Sequence, residues 1–158
     1  MANLTNVDFY YGAVLSQLFT KNKEYTISLI ERSGEQRVFA IETNKHSYVL
    51  RTHKSEGKRD VKTDSYSWTF NLSPKAVHSL QDNYKKGIAN VVALVLLESE
   101  KLSDSKIIYF TDFHLDTKGI YEEPGKQIGM TVRKNPDKND YLLLLIRKSK
   151  MPFQLSRI

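Results

Sequence analysis

The run Ile88-Ala89-Asn90-Val91-Val92-Ala93-Leu94-Val95-Leu96-Leu97 decides the fold. It is apolar with scarcely a break and shows no alternation, so it suits a strand buried on both faces rather than one half in water. An edge position would leave these side chains open to aggregation, so the run is expected to be interior, with strands on both sides. Immediately before it, Ser73 caps a helix, Pro74 takes its first position, Val77, Leu80 and Tyr84 form its stripe, and Lys85-Lys86-Gly87 closes it.

Working outward toward the N-terminus, Asn6 is placed to cap a first helix over Val7 to Thr20. Val7, Tyr10, Tyr11, Val14, Leu15, Leu18 and Phe19 recur there at helical spacing. Tyr25 to Ile30, a Ser33-Gly34 turn and Val38 to Ile41 read as a hairpin, and Tyr48 to Thr52 adds a third strand after the turn at Thr43 to His46. Such short connections imply an antiparallel meander. Ser55 to Ser65 is polar and charged and reads as an exposed loop ahead of a short strand, Ser67 to Phe70. Toward the C-terminus, Lys106 to Thr111, Gln127 to Arg133 and Tyr141 to Arg147 add strands, the last two joined by turn residues 135–140; the tail from about residue 149 is expected to be flexible. The fold class expected is α+β, in one domain spanning residues 1–158.

Composition bounds the function. A chain of 158 residues that is 40% apolar, 27% charged and 11% aromatic can bury one core and fold alone. No window approaches the roughly 18 consecutive apolar residues of a membrane helix, so no membrane role is expected. The N-terminus has neither the basic start nor the apolar run of a signal peptide, which points to the cytoplasm. The absence of cysteine removes thiolate zinc sites, disulfides and cysteine nucleophiles. Gly-x-Gly-x-x-Gly, Walker and Gly-x-Ser-x-Gly patterns are missing too, which argues against nucleotide-dependent enzymes and serine hydrolases. Tyr66, Trp68 and Phe70 alternate along a strand and could stack bases, although that period more often serves the core.

The 24 Lys and Arg residues against 18 Asp and Glu give a net charge of +6, which favours phosphate-rich partners. The excess is clustered. Lys45, His46, Arg51, His53, Lys54, Lys58, Arg59 and Lys62 crowd one segment; Arg133, Lys134, Lys138, Arg147, Lys148, Lys150 and Arg157 crowd the C-terminal part. Arg51, His53, Lys54, Lys58 and Arg59 are the candidate nucleic-acid contacts, expected on the exposed surface.

From Val7 to Leu97 the order helix, three strands, helix, strand resembles the core of the PD-(D/E)XK nuclease superfamily of restriction and repair enzymes. That resemblance implies an acid on the second meander strand and an acid-x-Lys on the third, holding Mg²⁺ against the scissile phosphate. Glu42 can stand for the first acid. The third strand departs from the pattern, because Thr52-His53-Lys54 offers Lys54 but no carboxylate, and the nearby acid-x-Lys, Glu56-Gly57-Lys58, falls in the polar segment. The catalytic candidates are thus Glu42, Glu56, Lys54 and Lys58, with Mg²⁺ as cofactor if the chain is catalytic.

A second constellation, Asp112-Phe113-His114-Leu115-Asp116, follows the apolar strand Ile107 to Thr111. It resembles the opening Asp-x-His of calcineurin-like metallophosphoesterases. Continued strand geometry would put Asp112, His114 and Asp116 on one face as metal ligands. Only 42 residues follow Asp116 and none is His, so a complete two-metal site cannot be assembled downstream.

The function expected is nucleic-acid binding, of DNA first, on a nuclease-like α+β core from a restriction, repair or mobile-element system. The alternative is a noncatalytic module or accessory subunit that docks a larger protein.

Overall fold

A computed structural model of the chain describes residues 3–21, 24–33, 36–98, 105–122, 127–134, 141–146 and 152–154. In chain order it runs α1 (Asn6–Lys21), β1 (Tyr25–Ser33), β2 (Gln36–Thr43), β3 (Ser47–Glu56), β4 (Lys58–Asp60), β5 (Ser65–Leu72) and α2 (Pro74–Lys85). It continues with β6 (Ala89–Leu97), β7 (Lys106–Thr111), α3 (Asp112–Thr117), a 3-10 turn at Ile120–Glu122, β8 (Ile128–Lys134), β9 (Tyr141–Ile146) and β10 (Pro152–Gln154). The protein is α+β, and its N-terminal helix leads into a strand meander.

The strands form two five-stranded sheets, one ordered β1-β2-β3-β6-β7 and the other β10-β9-β8-β5-β4. In the first sheet β1, β2 and β3 are antiparallel neighbours, as their short turns require, and β3 then pairs parallel with β6. The apolar run is therefore interior, held between β3 and β7. Its residues divide by parity. Val92, Leu94 and Leu96 enter a cluster with α2, β5 and β8, while Ala93, Val95 and Leu97 enter a second cluster with Tyr11 and Val14 of α1. Each face of this strand thus lies in its own apolar layer, which is why its sequence cannot alternate.

Local chemistry sets the helix starts. Ser73 accepts from Ala76 N–H at 3.2 Å and Pro74 opens α2, as the sequence predicts. For α1 the capping residue is Thr5 rather than Asn6: Thr5 N–H and Oγ1 both donate to Asp8 Oδ2 at 2.8 Å, and these bonds hold the Asp8 carboxyl below its ordinary range.

Ser55 to Ser65 is not one loop. β3 continues to Glu56, and Lys58–Asp60 pairs with β5, leaving only residues 61–64 as a turn. Between them Gly57 carries the chain from one sheet to the other. Its N–H donates to Leu97 O at 2.9 Å, and a Cβ there would lie 2.7 Å from both Trp68 Nε1 and Tyr66 Cδ1. Trp68, 1% exposed, donates Nε1–H to the same carbonyl, which makes it a core residue rather than a platform for bases. The turn expected at 135–140 lies outside the described residues. So does the tail from 149, apart from Pro152–Gln154, which is a strand on β9 rather than a loose end.

Candidate nucleic-acid interface

Alternation along β3 splits the predicted contact residues between two faces. Leu50 lies in the α1 cluster, so Thr52 and Lys54 share that side; Lys54 Nζ sits 5.7 Å from the centre of the Tyr10 ring. Arg51 and His53 point the other way and are 4% and 5% exposed, correcting the expectation that both lie on the surface. Burial explains their electrostatics: it lowers the Arg51 guanidinium from its usual value, and burial together with the Arg51 charge pushes His53 down to about 4. Neither can reach a nucleic-acid backbone outside the fold. Lys58 and Arg59 are exposed on β4, where Arg59 pairs with Asp64 across the turn.

The proposed catalytic carboxylates do not meet. Glu42 sits opposite Ser47 at the beginning of β3, whereas Glu56 ends that strand. Nine steps along an extended strand put them about 30 Å apart. They also face opposite sides, since Glu42 follows the inward Ile41 by one residue while Lys54 and Glu56 share the side of Leu50. Glu42, Glu56, Lys54 and Lys58 cannot share one Mg²⁺ ion in this fold.

The Asp112, His114 and Asp116 triad also comes apart, because the strand stops at Thr111 and a helical turn begins. Period-two geometry therefore does not apply. Asp112 Oδ2 accepts Asn90 N–H at 3.2 Å, and Oδ1 accepts the Tyr121 hydroxyl proton. Asn90, 1% exposed, completes a buried network by donating to Leu80 O at 2.9 Å and accepting from Asn83 Nδ2 at 3.0 Å. Tyr84 stacks on Tyr121 beside it, with ring centres 4.0 Å apart. His114 turns back so that its Nδ1 accepts Thr111 N–H at 3.1 Å, while Asp116 is exposed. Among the described residues no three His, Asp or Glu side chains gather to hold a metal. The spacing that suggested a ligand set is a helix cap and a core network.

What the structure does bring together is one pair from each basic cluster, Lys58 and Arg59 with Arg133 and Lys134; Lys138, Arg147, Lys148, Lys150 and Arg157 lie outside the described residues. β5 pairs with β4 on one side and with β8 on the other, so Lys58 lies opposite Ser67 and Ser67 opposite Arg133. The next row reads Arg59, Tyr66, Lys134. Residues some 75 positions apart in sequence thereby form two adjacent rows, with Lys58 and Arg133 about 10 Å apart across two strand spacings. Tyr66 packs on the apolar cluster, which puts Arg59 and Lys134 at the rim of the inner face and Lys58 and Arg133 on the outer face. The core closes one row further in, at Trp68 opposite Val132. Sequence reasoning picked Lys58 and Arg59 but not Arg133 and Lys134 as contacts. The signal available was the second basic cluster, whose meeting with the first required the register of β5.

Among the described residues no helix is long and apolar enough to cross a membrane. Compared with known protein families, curated proteins and solved structures, the chain matches none.

Proposed function

We propose that the protein binds the phosphate backbone of nucleic acid, DNA in the first instance, along the basic band where β4, β5 and β8 meet. The observation that carries this reading is the register, which puts Lys58 and Arg133 on the outer face of one row either side of Ser67, with Arg59, paired to Asp64, and Lys134 at the inner rim of the next row. Cations spaced along a rigid surface position a backbone and release its counterions, with little base discrimination. The helix, meander, helix, strand order supports a scaffold like that of the PD-(D/E)XK nucleases, and the separation of Glu42 from Glu56 and Lys54 supports a binding role over cleavage on it. Restriction, repair and mobile-element systems are the settings in which such a binder would serve.

Mobility-shift titrations against salt test the proposal. Affinity should fall steeply as salt rises, and the Lys58→Ala/Arg133→Ala variant should bind all sequences more weakly, with its salt slope reduced by about two. Unchanged binding by that variant, or no binding by the parent at low salt, sinks the proposal. A second reading, docking to a larger protein, rests on α1, where Phe9 is 58% and Phe19 46% exposed. It gains if DNA and RNA are both ignored.

A further inference from the structure

The turn between β4 and β5 is built by its own side chains. Asp60 pairs with Ser65, and the residues between them, 61–64, are all exposed. Asp60 Oδ1 accepts Lys62 N–H at 3.0 Å, and the hydroxyls of Thr63 and Ser65 bond at 2.7 Å. Asp64 holds a φ of 50°, in the left-handed region that side chains other than glycine seldom occupy. Arg59 steadies it there by donating from both Nε, at 2.9 Å, and Nη2 to Asp64 Oδ1. The Asp64 carboxylate is thus already met by a cation, and residues 58–65 keep an excess of one positive charge, Lys58, Arg59 and Lys62 against Asp60 and Asp64. At the tip stands Val61, 88% exposed, and no large apolar side chain among the described residues is more so. Turns favour Gly, Pro, Asn, Asp and Ser, each for a backbone reason that valine cannot serve. β4 is the edge of its sheet, and β8 ends at Lys134, opposite Tyr66, one row short of Asp60 and Ser65. The tip therefore lies past the basic rows rather than within them.

We propose, resting on the nucleic-acid reading of the basic band, that this hairpin enters the major groove of duplex DNA, with Val61 against the base edges and Lys58 and Arg133 on the flanking phosphates. A two-stranded ribbon, its backbones about 4.8 Å apart, is one of the elements that the B-form major groove, about 12 Å wide, admits; the minor groove, about 6 Å wide, is too narrow for it. Val61 is three residues from Lys58, about 10 Å along an extended strand, and the groove is about 8.5 Å deep. A tip at the floor of the groove therefore leaves Lys58 level with the phosphates. On that floor a valine meets thymine methyl groups, an apolar contact that salt does not screen. A-form RNA offers no equivalent, because its major groove is too deep and narrow for side chains to read, and a single strand has no groove at all.

Mobility shifts of the full chain are measured across a salt series on one sequence made both as duplex DNA and as duplex RNA. The parent should bind the DNA about tenfold more tightly than the RNA. Val61→Ser should melt as the parent does, because the side chain it replaces is exposed, and should bind the DNA about tenfold more weakly with an unchanged salt slope. Its affinity for the RNA should not move, so the preference for DNA disappears. Lys58→Ala/Arg133→Ala should show the reverse pattern, a salt slope reduced by about two on both duplexes with the preference for DNA kept. Equal, salt-dependent binding of the parent to the two duplexes, or Val61→Ser binding the DNA as tightly as the parent, overturns the groove insertion and leaves the phosphate contacts of the band standing. Binding to neither duplex at low salt sinks the band itself, and the insertion with it.

Discussion

Lowering the pH from 8 to 5 should remove about 2 kcal/mol of folding stability through His53 alone. In the folded protein this imidazole titrates at about 4, because it is buried beside Arg51, against 6.5 for an ordinary histidine. The folded value lies below the unfolded one, so between pH 6.5 and 4 the unfolded chain binds the proton that the folded chain refuses. Stability is complete above about pH 6.5, falls through that window and levels off below 4. Across the whole gap the loss is about 3.5 kcal/mol at roughly 1.4 kcal/mol per pH unit, and somewhat over half of it is reached by pH 5. With a urea dependence of about 2 kcal/mol per molar, the unfolding midpoint of the parent should drop by about 1 M. Urea titrations at pH 8 and pH 5, in chloride buffers free of phosphate, should show this drop in the parent and most of it missing in His53→Gln. His114 is also lowered, by burial and by Lys118, and contributes in the same direction to both proteins. A His53→Gln variant that loses as much as the parent would refute the assignment of the loss to His53.

Gly57→Ala should lower stability by about 2 kcal/mol and the melting temperature by roughly 6 °C, since its methyl group must enter the space of Trp68 and Tyr66; an unchanged melt counts against the close approach at this crossing. Val92→Asp places a carboxylate at a position that is 0% exposed, and no soluble protein should be recovered; a normally melting variant would show that β6 is not interior. Titration with Mn²⁺ or Zn²⁺ should raise the melting temperature by less than about 1 °C, whereas a larger rise that disappears in His114→Ala would restore the Asp112, His114 and Asp116 site.

The elements that could be read from sequence are those whose local pattern and tertiary role agree. α2 announces itself with Ser73 and Pro74, and β6 through an apolar run that only an interior strand accommodates. The meander followed from turns too short for any other connection. What could not be read depended on pairing between distant segments. Lys58–Asp60 is wholly polar and exposed, and it is a strand because β5 offers it an edge, which local propensity does not encode. The same register joins Lys58 to Arg133. Arg51 and His53 looked like surface cations because their residue types are usually exposed, and only the packing of α2 and the second sheet over that face of β3 buries them. For Asp112 to Asp116 everything turns on the period of the chain after Thr111, which is helical rather than extended and so moves every side chain that follows.

The parallel pairing of β3 with β6 has a consequence for how the molecule can be taken apart. Tyr48 meets Ala89 across that seam, and the chain between them supplies β4 and β5 to the other sheet and α2 to the layer between. Each sheet is thus woven from strands on both sides of the exposed turn at residues 61–64. A cut there would leave an N-terminal fragment holding β1 to β4 and a C-terminal one holding the rest, and neither piece could complete a sheet by itself. The fragments should behave as obligate complements that reassemble when mixed, and the seam should close late in folding, after a long loop has been gathered and at the entropic cost that implies.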